Sequence, residues 1–263
     1  MNAGGAEAPG AHVTDTGGTG APVLCLHGIG SSGGAFDAVT PLLADGLRII
    51  AWDAPGYGAS PDPAGPPGMD GYADAAVAVL DRLGLCRAHV LGVSWGGVIA
   101  TRIALRHPGR LRALVLADST RGSGADPAKA AAMRSRAAEL DEHGPEAFAA
   151  GRAKRLLSPA APPEAVERVA AAMAAAIRLP GHGYAAESMA ETDHGPRLGE
   201  VRAPALVVVG DRDAVCPPEE SRRLAAGIPG ARYAEIPGAG HLSNQERPEA
   251  FAAAVREFLE ENP

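Results

Sequence analysis

Ser94 lies in Gly92-Val93-Ser94-Trp95-Gly96, and His241 lies in Ile236-Pro-Gly-Ala-Gly-His-Leu-Ser-Asn. Carboxylates follow two apolar runs, Asp118 after Leu111–Ala117 and the pair Asp211 and Asp213 after Ala205–Val209. A serine hydroxyl is a poor nucleophile until a base takes its proton, and a carboxylate behind that base fixes its tautomer. These residue types are therefore the parts of an activated serine, provided that the fold brings them together.

The G-x-S-x-G pattern is weak alone in a chain with 34 glycines, and Gly30-Ser31-Ser32-Gly33-Gly34 also fits it. Context separates the two. A nucleophile elbow needs a strand running into the turn and a helix leaving it at once. Ser94 has AHVLGV before it and WGGVIATRIAL after it, whereas the Ser31–Ser32 match begins in a looser Gly/Ser-rich loop. The glycines at 92 and 96 remove side chains that would collide around a tight turn. The new helix would point its N-terminus, and hence its positive dipole end, at the site. A helix N-cap is the plainer role for Ser94.

His241 follows the last strand-like run in a glycine-rich loop, the kind of edge where α/β proteins place their sites. No histidine pair has the H-x-x-x-H spacing of a metal site, so no metal is expected. His182 and His194 could touch substrate, although solvated or capping roles are commoner; His27 reads as a structural loop residue. Among the acids, Asp211 suits bracing the turn, and Asp213 and Asp118 both stay open on position alone. Cys25, Cys86 and Cys216 offer no disulfide framework. Cys216 sits close to the candidate acid but reads as packing.

The elements that must carry these residues are strand-like runs at Val23–Leu26, Leu47–Trp52, Ala88–Val93, Leu111–Ala117, Ala205–Val209 and Arg232–Ile236. Most are continuously apolar, the mark of strands buried on both faces in a parallel sheet. Helical patterns fall between them at Phe36–Leu43, Tyr72–Leu83, Trp95–Arg106, Glu219–Ala226 and Pro248–Leu259. This alternation predicts an α/β, doubly wound, mostly parallel sheet. It breaks between Arg121 and Arg197, where Ala-rich helical segments at Pro127–Leu140, Pro145–Leu157 and Pro163–Ile177 replace any strand. That stretch is too long for a crossover and predicts an inserted helical cap. The expected division is a core of 11-120 and 198-263 with a cap of 121-197. Arg121, Arg134, Arg152, Arg155 and Arg178 lie in or beside the cap, and one of them could bind a substrate carboxylate.

The 263 residues carry a formal net charge of −7, with both signs scattered along the chain. Such a surface lacks the basic footprint that nucleic acid needs. There is no basic, apolar leader and no apolar run near the ~20 residues of a spanning helix. The expectation is a cytoplasmic protein with no membrane or nucleic-acid partner, its first ten residues unstructured.

Five stretches, LCLHGIGSSG, IIAWDAPGYGASP, VLGVSWGG, LVVVGDRDAVCPP and IPGAGHLSNQERPEAF, resemble the α/β-hydrolase family over nearly the whole chain. The second and last look most like 3-oxoadipate enol-lactonases and related carboxylesterases. The resemblance implies the α/β-hydrolase fold, with the cap after the strand that the family counts as its sixth. It implies Asp213 as the acid, because the family's G-x-x-D-x-x-x-P pattern falls on Gly210 and Pro217. It implies oxyanion donors from the backbones of Ile29 and Trp95. The family's first strand would be missing, with His12–Asp15 keeping the second. The implied activity is hydrolysis of a small carboxylic ester or lactone through Ser94, Asp213 and His241, with no cofactor. Open alternatives are a carbon–carbon bond hydrolase using the same residues, perhydrolysis as a side activity, and a non-catalytic ligand receptor that kept the fold.

Overall fold

A computed structural model describes residues 10–263. The expectations for the first ten residues and for the family's first strand fall, save for Gly10, outside the described residues.

The sheet has seven strands in the order β1-β3-β2-β4-β5-β6-β7. These are β1 (Val13–Asp15), β2 (Ala21–Leu26), β3 (Leu47–Trp52), β4 (Ala88–Val93), β5 (Leu111–Ala117), β6 (Ala205–Gly210) and β7 (Arg232–Ile236). β1 pairs antiparallel with β3, and every other pairing is parallel. All six residues of β4 and of β6 are buried. Alternate residues of each run face opposite layers: Leu24, Leu26, Val90, Leu114 and Val207 face one, while Val23, Cys25, Leu91, Val115 and Val208 face the other. Burial on both faces is why the runs read as continuous rather than alternating.

Helices cover both layers. α1 (Thr40–Leu43) precedes β3, α2 (Gly68–Arg82) precedes β4 and α3 (Trp95–Arg106) follows it. After β5 come α4 (Pro127–Leu156), α5 (Pro163–Ala176) and α6 (Gly181–Glu191), the inserted helices, before the chain returns to β6. α7 (Pro218–Gly227) then leads to β7, and α8 (Ser243–Glu246) and α9 (Pro248–Glu260) close the chain. α9 opens with a proline in its first turn, where the missing N–H costs nothing. The insertion follows the fifth strand of this chain, which is the strand the resemblance counts as sixth.

Local chemistry explains the differences from the expected elements. Phe36–Leu43 is not one helix but a 3₁₀ turn at Gly33–Phe36 followed by α1. Pro41 lies in the first turn of α1, where it can begin a helix but could not continue one through Asp37. α2 begins at Gly68, four residues ahead of the expected start, and buries Met69 and Tyr72. α4 is two helices end to end, divided at Gly144 with φ 73° and ψ 165°, where Pro145 starts the second. α6 was not among the expected helices, because GHGY opens it with two glycines that disfavour a start; AAESMAE then favours a helix, and its Ala185, Ala186, Ser188 and Met189 are buried. Among the described residues no helix is long and apolar enough to cross a membrane.

Candidate active site

The C-terminal ends of β2, β4, β5, β6 and β7 deliver His27, Ser94, Asp118, Asp211 and the loop to His241 along one edge of the sheet. Ser94 occupies the single residue between β4 and α3, with φ 55° and ψ −117°. A non-glycine residue there is strained and persists only if its surroundings hold it. They do: Ser94 N–H donates to Ala117 O at 2.8 Å, and Ser94 O accepts from Gly97 N–H at 2.9 Å. Ser119 Oγ also donates to Ser94 O, at 2.7 Å. The flanking glycines are a steric necessity, because a Cβ on Gly92 would lie 2.2 Å from Gly96 O and one on Gly96 would lie 2.0 Å from Leu26 O.

His241 Nε2 lies 3.0 Å from Ser94 Oγ, and its Nδ1 lies 2.8 Å from Asp213 Oδ2. Asp213 Oδ1 accepts from the amides of Val215 at 2.7 Å and Cys216 at 2.8 Å. That loop therefore fixes the carboxylate, which accepts a hydrogen bond from Nδ1–H and leaves the Nε2 lone pair facing the serine. His241 and Asp213 are both buried. Burial opposes an imidazolium, but Cys216 and the Asp213 carboxylate beside it, the latter hydrogen-bonded to Nδ1, outweigh that and raise the His241 pKa well above its ordinary value.

The two other acids do different work. Asp211 Oδ1 accepts from Gly238 N–H at 2.7 Å, which ties the β6 turn to the β7 turn. Asp118, at φ 48°, is fully buried. Its Oδ1 accepts from Gly210 N–H at 2.9 Å, and its Oδ2 meets Ser243 N at 3.2 Å and Ser243 Oγ at 2.6 Å. It thus pins the ends of β5 and β6 to the segment just after His241. Burial raises its pKa to about 7.

The turn after β2 brings Gly28 against Ser94, since a Cβ there would lie 3.2 Å from Ser94 Cβ. Ile29 follows it, and Trp95 is the first residue of α3. Neither amide donates in any turn, loop or cap hydrogen bond of the described residues. His27 is a brace: its Nε2 accepts from Ala54 N–H at 3.0 Å and its Nδ1 contacts Gly28 O at 2.8 Å. Burial lowers its pKa to about 4 and keeps it neutral.

Asp213, Cys216 and His241 offer a carboxylate oxygen, a thiol sulfur and a ring nitrogen within 4.8 Å of one another, a juxtaposition the sequence reading did not anticipate. A metal ion there would compete for the carboxylate oxygen and ring nitrogen that bind Ser94 and each other. Burial pushes the Cys216 thiol up, so it is protonated at neutral pH.

The inserted helices lie directly on this edge. Met173 of α5 packs on the loop after β2, where a Cβ on Gly30 would meet its Cε at 3.3 Å. Trp95 Nε1 donates to Ser188 Oγ of α6 at 3.0 Å. Glu246 gathers Ser158 N–H and, at 2.7 Å, Gly240 N–H, which fastens the end of α4 to the His241 loop. Of the five arginines named from sequence, Arg178 is spent on Asp62, Gly58 O and Ser60 O, Arg134 on Glu187 and Arg152 on Glu139. Arg155 is exposed, and Arg121 packs at Gly195. His194 contacts Val98 O at 3.1 Å in a buried structural role.

The fold and the strand–serine–helix turn define an α/β hydrolase. The family profile described as the alpha/beta hydrolase fold matches residues 21–248, and the chain belongs to that family. It is 30% identical to 3-oxoadipate enol-lactonase 2 of Acinetobacter baylyi, over 82% of this chain and 79% of that one. It is 34% identical to the 2-hydroxy-6-oxononadienedioate/2-hydroxy-6-oxononatrienedioate hydrolase of Cupriavidus pinatubonensis, over 94% of this chain and 90% of that one. Among solved structures, a malate-bound thermophilic esterase from Thermogutta terrifontis superimposes with a TM-score of 0.87 at 32% identity, covering 95% of this chain and 93% of that one.

Proposed function

We propose that the protein is a serine hydrolase that cleaves a small carboxylic ester or lactone through an acyl-enzyme on Ser94. The observation that carries the reading is the unbroken contact from Asp213 through His241 to the Oγ of a strained, elbow-borne serine. Ser94 Oγ attacks the carbonyl carbon while His241 Nε2 takes its proton. The amides of Ile29 and Trp95 donate to the oxyanion, at the N-terminus of α3. The tetrahedral intermediate collapses, and His241 returns the proton to the leaving oxygen, which stays tethered if the substrate is a lactone. Water then gives a proton to His241 and its oxygen to the acyl carbon. The second collapse releases the acid and restores Ser94. Asp213 holds the imidazole and stabilises the imidazolium without taking its proton. Neither a cofactor nor a metal enters this scheme. Residues 121-197 act as a cap that sets which acyl groups reach Ser94, over a core of 11-120 and 198-263.

The test is hydrolysis of a short-chain 4-nitrophenyl ester by wild type and by Ser94→Ala, with fluorophosphonate labelling of both. Turnover and labelling present in wild type and absent from the variant support the reading. Near-normal turnover by Ser94→Ala overturns it. A second reading, carbon–carbon bond hydrolysis by the same residues, is favoured by the similarity to the oxononadienedioate hydrolase. Cleavage of a vinylogous diketone in preference to a lactone would select it.

A further inference from the structure

Among the described residues only two that are not glycine have positive φ: Ser94 at 55° and Asp118 at 48°. A residue in that region costs free energy and persists only where its surroundings over-determine it. At Ser94 the strain belongs to the elbow. Asp118 is fully buried and lies outside the contact from Ser94 to Asp213, yet the two outliers are joined across the sheet. Ser94 N–H donates at 2.8 Å to Ala117 O, the carbonyl just before Asp118. Just after Asp118, Ser119 Oγ donates to Ser94 O at 2.7 Å, so one short turn grips both backbone groups of the serine.

The same turn reaches the other two members of the relay. On the acid side, Asp118 N–H donates to Val208 O at 2.8 Å, and Asp118 Oδ1 accepts from Gly210 N–H at 2.9 Å. Gly210 O in turn accepts from Asp213 N–H at 3.1 Å. On the base side, Asp118 Oδ2 accepts from Ser243 Oγ at 2.6 Å, and Ser243 follows His241 by two residues. The two loops meet where the carboxylate holds them, since a Cβ on Gly210 would lie 2.2 Å from Gly240 O. Both carboxylate oxygens are spent on these contacts, so Asp118 meets no substrate and does not stand in for Asp213. For packing alone a strained, buried carboxyl group is a poor choice, because burying it costs free energy that an apolar side chain would not. What it supplies is a fixed spacing between the Asp213 loop and the His241 loop, which the contacts of 2.8 Å and 3.0 Å along the relay require.

We infer that the turn Ala117–Ser119 sets the spacing of the relay, with Asp118 as the positioning residue for Asp213 and His241 and Ser119 as the one for Ser94. The inference rests on the serine-hydrolase reading for the reaction. Asp118→Ala, Ser119→Ala and wild type are compared on a short-chain 4-nitrophenyl ester. Turnover is counted per Ser94 that a fluorophosphonate labels at completion, so that lost folded enzyme drops out. Each variant should lose about tenfold to a hundredfold in kcat, the cost of a displacement near 1 Å, with KM changed by less than about threefold. Asp118→Asn, whose carbonyl oxygen can accept from Gly210 N–H and whose amide can donate to Ser243 Oγ, should recover most of that loss. A readout free of catalysis is the far-downfield proton NMR signal of His241 Nδ1–H held by Asp213. It should shift or broaden in Asp118→Ala and stay in place in Ser119→Ala, whose hydroxyl bonds only to the elbow. Turnover per labelled site within about twofold of wild type in both variants, or a His241 signal unmoved in Asp118→Ala, overturns the inference. If Asp118→Ala does not fold, Ser243→Ala, which removes the 2.6 Å contact alone, takes its place with the same expected signs. Wild type with neither turnover nor labelling sinks the hydrolase reading instead, and the His241 signal still decides on Asp118.

Discussion

Asp118→Asn should change the pH dependence of folding in a way no exposed acid could. The Asp118 carboxyl is fully buried, and burial raises its pKa from 3.8 to about 7. The native protein therefore keeps a proton that the unfolded chain has released. For a group raised in this way the stabilising contribution is complete below pH 3.8 and is lost as pH climbs to about 7. The slope is about 1.4 kcal/mol per pH unit well below the native pKa and halves at it, so about 2 kcal/mol disappears between pH 5 and 7. Asparagine has no such titration. Its carbonyl oxygen can still accept from Gly210 N–H, and its amide can donate to Ser243 Oγ, but Ser243 N–H loses its acceptor. The variant should thus be less stable than wild type at pH 5, by about 1–3 kcal/mol for the orphaned donor. That gap should close or invert by pH 7. Guanidinium unfolding of both proteins at pH 5, 6, 7 and 8, followed by the fluorescence of the buried Trp52 and Trp95, measures it. A gap that stays constant within about 0.5 kcal/mol over the range would refute the buried-proton account, because extrapolation error is smaller than the expected change.

Three further outcomes follow from the site. Asp213→Asn should stay folded while kcat drops by about 10⁴, because the amide can donate to Nδ1 and favour the wrong imidazole tautomer; single-turnover kinetics on a 4-nitrophenyl ester would reveal it. Gly28→Ala puts a methyl 3.2 Å from Ser94 Cβ and 3.8 Å from its Oγ, so kcat/KM should fall by about tenfold or more with Tm nearly unchanged. A large Tm loss would show that the methyl is felt by the fold instead. The base works only when neutral, and the His241 pKa is raised, so kcat/KM should climb with pH to a midpoint above the ordinary imidazole value of 6.5. In Asp213→Asn that midpoint should move down.

The sheet was legible because strands buried on both faces leave unbroken apolar runs, and β4 and β6 bury every residue. Ser94 was legible because its strained turn demands glycine on either side and a helix at once, which local sequence records. Asp213 was not distinguishable from Asp118 by position, since both follow a strand on the same edge; family spacing chose between them. The structure shows the physical difference, with Asp213 facing His241 Nδ1 and Asp118 consumed by Gly210 and Ser243. Glu246 was hidden, as one of its two donors, Ser158 N–H, is set by where the insertion lands, the other being Gly240 N–H.

If the insertion is the cap proposed above, its anchoring lets chemistry and selectivity vary separately. The relay is held from below by backbone: Ala117 O and Gly97 N–H grip Ser94, and the Val215 and Cys216 amides grip Asp213. None of these contacts comes from α4, α5 or α6. The insertion is fastened near Ser94 and His241, through Trp95 to Ser188 beside Ser94 and through Glu246 to Ser158 beside the His241 loop. Arg178 adds a third clamp on Gly58, Ser60 and Asp62. Its inner helices are thereby held over a relay they do not build. In the proposed cap reading, substitutions on their inner faces should change which substrate is turned over while the contact from Ser94 to His241 keeps its geometry.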